Sequence, residues 1–192
     1  MIHTLEMTVL IDNVATEPLV GEWGLSILIT ADDRSILLDT GASHLFAQNA
    51  ERLGIDLNSV DTGVLSHAHY DHSDGMDTFF TLNREAPFLV REGTRENCFG
   101  IKDGALHYIG IQSGILKQHE ARIQYDKTPY VGGVRGDDIT AWFNRHPGDY
   151  SYVILDDDDD MDGHMDHLVR TDFDSGLTEE KADECIRRLR GQ

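Results

Sequence analysis

Short apolar runs of strand length open the chain. Residues 8–12, 25–30 and 35–38 are rich in Ile, Leu and Val, and Asp32-Asp33 reads as the turn joining the second run to the third. The period then changes. Leu45, Phe46, Ala50 and Leu53 recur at helical spacing, with Ser43 placed to cap that helix and Gly54 to end it. Residues 60–66 predict another short strand and residues 73–76 the opening of a helix. Further strands are predicted over 87–90, 106–111 and 122–125, with a weak helix over 112–120. Near the end, Thr178 is placed to cap a helix whose Ala182, Cys185, Ile186 and Leu189 share one face, with Gly191 as its stop. Strands alternating with helices predict an α/β fold. With no internal repeat and no linker in view, residues 1–192 read as a single domain.

The 192 residues are 40% hydrophobic, enough for one core. Charge changes the picture more, because 35 acidic residues against 16 basic ones leave a net charge of −19. Such a surface repels the phosphates of nucleic acid and of anionic lipid. Nucleic acid and membrane are therefore not expected as partners, and the charge leaves a homo-oligomer open. No apolar run approaches the roughly 18–20 residues of a membrane span. The first residues also lack the basic and apolar parts of an export signal. Cys98 and Cys185 sit in no Cys-x-x-Cys pair or metal-type cluster. A reducing, cytoplasmic setting is the expectation. Asp outnumbers Glu and Arg outnumbers Lys, a composition suited to a high-salt cytoplasm where screening relieves self-repulsion. An unfolding midpoint that stays flat or falls toward molar KCl would contradict that last reading.

Candidate chemistry is concentrated in one loop. His67-Ala68-His69-Tyr70-Asp71-His72 places three imidazoles and a carboxylate directly after the strand predicted over 60–66. Transition metals favour neutral imidazole nitrogens, and a second ion nearby favours a further nitrogen and an oxygen. Residues two apart in a tight turn converge on one ion, so His67 and His69 form a natural pair, and Asp71 with His72 can reach an adjacent one. Two ions roughly 3.5–4 Å apart lower the pKa of a shared water and clamp both sides of a displacement.

Together with Ser35-Ile36-Leu37-Leu38-Asp39-Thr40-Gly41 upstream, this loop resembles the metallo-β-lactamase superfamily. From Thr8 to Met76 the order of motifs is similar to a branch of metal-dependent hydrolases related to the dihydropterin ribofuranosyl-aminobenzene phosphate synthases. The motifs are Gly24-Leu25-Ser26-Ile27-Leu28-Ile29, then Leu38-Asp39-Thr40-Gly41, then Leu53-Gly54-Ile55-Asp56-Leu57, then Ser66 to His72. The resemblance implies an αββα sandwich and a zinc-dependent hydrolase of a small-molecule substrate, phosphorylated or ester-bearing, with one or two ions, manganese or iron being alternatives. His67, His69, Asp71 and His72 would be the ligands. It also implies that Asp71 takes a proton from the attacking water. The same resemblance allows a truncated member that binds metal without catalysis, a synthase-like transferase, or a site completed by a second chain. Asp39 would orient a ligand imidazole from behind, or simply form the turn in Asp-Thr-Gly.

In the second half the family pattern fails. The Gly-Cys-Ser-His and Gly-Gly-x-His turns of the branch are missing, since Gly132-Gly133 leads into Val134-Arg135 and Cys185 into Ile186. The fold is thus expected to be incomplete there. His107, His119, His146, His164 and His167 remain as candidates for distal ligands, although His107 and His119 read by default as strand-face and surface residues. The acidic run 156–160 reads as a solvated loop. Laid on a calcium-loop template, Asp158, Asp160, Asp162, Gly163 and Asp166 fall at useful positions, but Val169 stands where the closing Glu belongs.

Overall fold

A computed structural model describes residues 3–112, 114–126, 131–172 and 175–191. The chain divides into two compact units, one ending at Asp126 and the other beginning at Lys127. Among the described residues no helix is long and apolar enough to cross a membrane.

The first unit contains β1 (Leu5–Ile11), β2 (Ser26–Ala31), β3 (Arg34–Leu38), α1 (Leu45–Arg52), β4 (Thr62–Val64), α2 (Tyr70–Ser73) and α3 (Met76–Leu82). It continues with β5 (Phe88–Arg91), β6 (Phe99–Lys102), β7 (Ala105–Tyr108), α4 (Ile115–Gln118) and β8 (Ile123–Asp126). Six strands form one sheet in the order β1-β2-β3-β4-β5-β8. The first three are antiparallel, and β3, β4, β5 and β8 run parallel. Helices occupy the crossovers between the parallel strands, as that topology requires. The expected α/β class is therefore what the chain adopts, with a single large sheet among the described residues of this unit.

Alternation along the strands decides what is buried. Leu10, Leu28, Leu37, Phe88 and Val90 face Phe46 and Ala50 of α1 and Met76, Phe79 and Phe80 of α3 in one core. Phe79 and Phe80 meet Phe88 edge-on at 5.5 and 5.7 Å. Gly63 makes room for that cluster, because a Cβ there would lie 2.2 Å from the Phe88 ring.

Most predicted elements are present with shifted ends. Ser43 does offer its Oγ to the Leu45 amide, and Gly54 ends α1 at φ +72°. The single strand expected over 106–111 is different. Residues 105–108 pair instead with an unforeseen strand, β6, and residues 109–111 turn away to bond the histidine loop. Gly100 and the Asp103-Gly104 turn had masked β6, which carries too few apolar residues to stand out.

The second unit contains α5 (Arg135–Arg145), β9 (Ile154–Asp156), β10 (Leu168–Arg170) and α6 (Glu179–Leu189). Strands β9 and β10 pair in parallel. Thr178 caps α6 as expected, accepting from the Lys181 amide. Helix α5 had no sequence prediction, although Ile139, Trp142 and Phe143 stand at helical spacing within it. The acidic run is not a free loop. Arg135 bonds Asp156, Asp158 and Asp160 at 2.5, 2.7 and 2.6 Å, while Arg170 bonds the Asp157 carbonyl and the Asp159 carboxylate at 2.9 and 3.0 Å. Two carboxylates that a calcium loop would need are thus engaged by a guanidinium.

Candidate metal centre

Strands β3 and β4 lie side by side and parallel, so the loops leaving their C-terminal ends meet. From β3 comes Asp39-Thr40-Gly41, and from β4 comes Leu65 to His72. Three backbone contacts lock the second loop. The Asp71 carbonyl accepts from Leu25 N at 3.4 Å, and the His72 carbonyl accepts from Thr40 N and Oγ1 at 2.8 and 3.1 Å. Gly24 is required for the first, since its φ is +141° and a Cβ would stand 2.1 Å from the Asp71 carbonyl oxygen. On the other side, Tyr70 N donates to Ile109 O and Ile111 N to Ala68 O, both at 2.9 Å.

Asp39 is fully buried and sits at φ +56°, a left-handed conformation that Asp tolerates. Its carboxylate accepts from Ser66 N at 2.7 Å, from Ser66 Oγ at 2.6 Å and from His72 Nδ1 at 2.7 Å. Both sequence readings of Asp39 therefore hold at once: it turns the chain and it orients an imidazole. Ser66 Oγ also lies 3.0 Å from His67 Nδ1. With its own proton given to Asp39, that hydroxyl can only accept, so Nδ1 of His67 carries the hydrogen. One carboxylate thus sets the tautomer of two histidines and leaves Nε2 of each with a lone pair.

Those lone pairs point inward. His67 Nε2 lies 3.1 Å from His69 Nδ1, and His72 Nε2 lies 3.8 Å from Asp71 Oδ2. The His67 ring centroid is 4.5 Å from that of His69 and 4.1 Å from that of His72. All four predicted site residues are brought together. Burial, reinforced by His72 and His69 alongside, pushes the His67 pKa down to about 4, which keeps it neutral and able to donate its lone pair. Burial opposes charge on His72, but the hydrogen bond and charge of Asp39, with Asp71 behind, hold its pKa above the ordinary value.

The donor set fits divalent metal in pairs. Two ring nitrogens facing each other at 3.1 Å share one hydrogen between them, and the spacing is slightly under the roughly 3.3 Å between two nitrogens on one tetrahedral zinc. Among the described residues no group of three His, Cys, Asp or Glu side chains is arranged to hold one ion. The distal candidates are occupied elsewhere. His107 is exposed on β7, and His119 bonds Asp77 at 2.7 Å and stacks on Phe80. In the second unit His146 stacks on Trp142 and bonds its carbonyl, His164 bonds Thr140 and Tyr152, and His167 stacks on Tyr152.

Sequence reasoning missed Ser66, Thr40 and Gly24 as supports of the loop, and missed Asp74. Asp74 accepts two bonds from Gln112 beside a cavity of about 400 Å³ that Tyr70, Tyr108 and Gly110 complete. Burial, with the charge of Asp71, raises its pKa. Ser66 had a readable signal, standing immediately before His67; the others are set by contacts distant in sequence.

Two stretches of the chain match known families, and the second begins within the first unit. Residues 34–100 match the family model of the beta-lactamase superfamily domain, and residues 105–182 match that of the HAD domain in Swiss Army Knife RNA repair proteins. An uncharacterized protein of Methanocaldococcus jannaschii is 37% identical over 68 residues, which are 35% of this chain and 27% of the relative. The structure of Tm1679, a metal-dependent hydrolase of the beta-lactamase superfamily, is 24% identical with a TM-score of 0.47, covering 66% of this chain and 43% of that one. The metallo-beta-lactamase GOB-18 from Elizabethkingia meningoseptica is 30% identical over 36% of this chain and 26% of its own, with a TM-score of 0.32. The chain therefore spans only about a quarter of the curated relative's length and under half of Tm1679's.

Proposed function

We propose, for a chain whose residues 34–100 match the beta-lactamase superfamily domain, that the loop His67 to His72 binds divalent metal and hydrolyses a small-molecule substrate. The observation that carries this is the pair of inward-facing nitrogens, His67 Nε2 and His69 Nδ1, 3.1 Å apart. Asp39 supports it by fixing the protonation of the pair's neighbours through Ser66 and His72.

His67 and His69 would hold one ion, and Asp71 and His72 a second. Imidazole with carboxylate suits zinc, with manganese or iron as alternatives. Metal bound there supplies a water of lowered pKa and a Lewis-acid contact to the bond being broken. Asp71, whose Oδ2 faces His72 Nε2, accepts the proton of the attacking water. His72, biased toward its charged form by Asp39, loses that bias when Nε2 is used as a ligand, so metal binding releases protons. The test is metal content per chain after chelation and reloading. One or two zinc equivalents in the wild type, lost together in His67→Ala/His69→Ala, agree with the reading; full metal content in the variant overturns it. Sub-stoichiometric, easily stripped metal in the wild type points to a binding relative without catalysis, or to ligands supplied by a second copy.

One observation favours a second reading. The match of residues 105–182 to the HAD domain of RNA repair proteins suggests that the second unit brings the chain to RNA. The net charge of −19 opposes contact with phosphates, so we place this second. Filter binding of single-stranded RNA at about 0.1 M salt decides it, and micromolar affinity would reverse the order of the two readings.

A further inference from the structure

The ribbon of β6 and β7 carries an apolar face that the rest of this acidic chain does not lead one to expect. Its pairing sets Phe99 opposite Tyr108 and Ile101 opposite Leu106, so all four side chains share one face. They are 55%, 45%, 79% and 70% exposed respectively. Gly100, Lys102, Ala105 and His107 form the other face. Contiguous apolar exposure of this kind marks a place where something binds.

The base of the ribbon is built into the histidine loop. Ile109 N donates to Cys98 O across the base at 3.0 Å, Ile109 O then accepts from Tyr70 N, and Gly110 faces His69 in a β-bridge. Tyr108 belongs to both places: it ends the apolar face and lines the cavity beside Tyr70, Asp74 and Gln112. A Cβ at Gly110 would stand 2.8 Å from the Tyr108 hydroxyl, so glycine there lets Tyr108 seat its hydroxyl on the Ile111 carbonyl at 2.6 Å. The cavity has no Lys or Arg in its lining. An anionic ligand finds no cation there, whereas an uncharged group is admitted and an apolar one gains area on the ribbon.

We propose that β6 and β7 form the substrate platform of the hydrolytic site, and that the substrate is an uncharged ester of an apolar acid. Its acyl chain lies along Tyr108, Phe99, Leu106 and Ile101, with the ester carbon at the His67–His69 end. The assignment rests on the hydrolase reading above and selects esters over the phosphorylated substrates that the sequence left open. In the reaction the oxygen of water forms a bond to the acyl carbon and the carbon–oxygen bond to the alcohol breaks. One proton of the water passes through Asp71 to the leaving alkoxide. Acid and alcohol are the only products, and no further reactant is needed.

The test uses the zinc-loaded full chain on p-nitrophenyl acetate, butyrate and octanoate and on bis-p-nitrophenyl phosphate, compared with Ile101→Ser/Leu106→Ser. Binding of the uncharged dye Nile red is measured in parallel, because it needs no turnover. Both replaced side chains are exposed, and an unchanged circular dichroism spectrum confirms that the variant folds. In the wild type kcat/KM should rise roughly tenfold from butyrate to octanoate, about twofold for each half-covered methylene. In the variant that slope should shrink to less than about threefold and dye affinity should fall by a similar factor. The phosphodiester should be the slowest substrate. A flat chain-length slope in an active wild type overturns the platform and leaves the hydrolase reading standing. No turnover of any substrate overturns the hydrolase reading and the ester assignment with it, even where dye binding still depends on Ile101 and Leu106. Equal dye binding by both proteins overturns the platform. So does co-sedimentation with phosphatidylcholine vesicles, or a dimer that the variant abolishes, since the apolar face then belongs to a lipid surface or to a second copy.

Discussion

In the first unit Phe46, Phe79 and Phe88 are fully buried around the parallel strands, and one carboxylate, Asp39, is buried with them. In the second unit the fully shielded apolar residues are few, Met161, Val169 and Cys185 among them, and much of the bonding is between Arg135 or Arg170 and carboxylates near the surface. The first spends most of its contacts on hydrophobic packing and buries one carboxylate, which orients histidines. The second uses charge as structure. A buried carboxylate that accepts three hydrogen bonds is costly to disturb, whereas exposed ion pairs are individually weak and respond to salt.

Substitutions separate the two behaviours. Asp39→Ala should have the largest effect, leaving Ser66 N and His72 Nδ1 without their acceptor. We expect about 3 kcal/mol of destabilisation in the first unit, read by denaturant unfolding. Metal affinity in the same variant should fall roughly 10–100-fold, as for loss of a group that orients a ligand. Gly63→Ala should cost about 2 kcal/mol, because the added methyl meets the Phe88 ring in a packed core, and hydrogen exchange should show the loss in the first unit alone. Arg135→Ala leaves Asp156, Asp158 and Asp160 facing one another. We expect about 1.5 kcal/mol after allowing for the part-exposed guanidinium, confined to the second unit in limited proteolysis. Destabilisation of the first unit by Arg135→Ala would break the distinction.

Acid supplies a smaller effect. Burial, with His167 nearby, holds the His164 pKa below its ordinary 6.5. The unfolded chain then takes up a proton before the folded one does. The contribution of His164 is fully present above about pH 6.5 and is lost as pH falls below it toward the folded value. Midpoints of the second unit between pH 7.5 and 5 should therefore decline, and His164→Gln should flatten that decline. Salt should give the finest separation. Raising KCl to molar levels screens self-repulsion everywhere, but in the second unit it also screens the arginine pairs, so the midpoint should rise less there.

The first unit was largely legible because its apolar residues repeat with the right periods and its chemistry occupies six consecutive positions. His67 faces His69 and Asp71 faces His72, while among the described residues no three such side chains close on one ion. Gly24, Thr40 and the pairing of residues 109–111 with the loop were illegible, since each acts through a contact made only once the strands are aligned. In the second unit Ile139, Trp142 and Phe143 do carry a helical period, but it runs for little more than one turn, and α5 was missed. Val169 is buried on β10 where a calcium loop would have needed a carboxylate, and the arginines that organise the acidic run stand well outside it in sequence.

The five consecutive aspartates divide by parity between two guanidinium groups, even-numbered carboxylates to Arg135 and odd positions to Arg170. An aspartate added to or lost from the tract would change which carboxylates face each guanidinium, so its length matters to this arrangement as well as its charge.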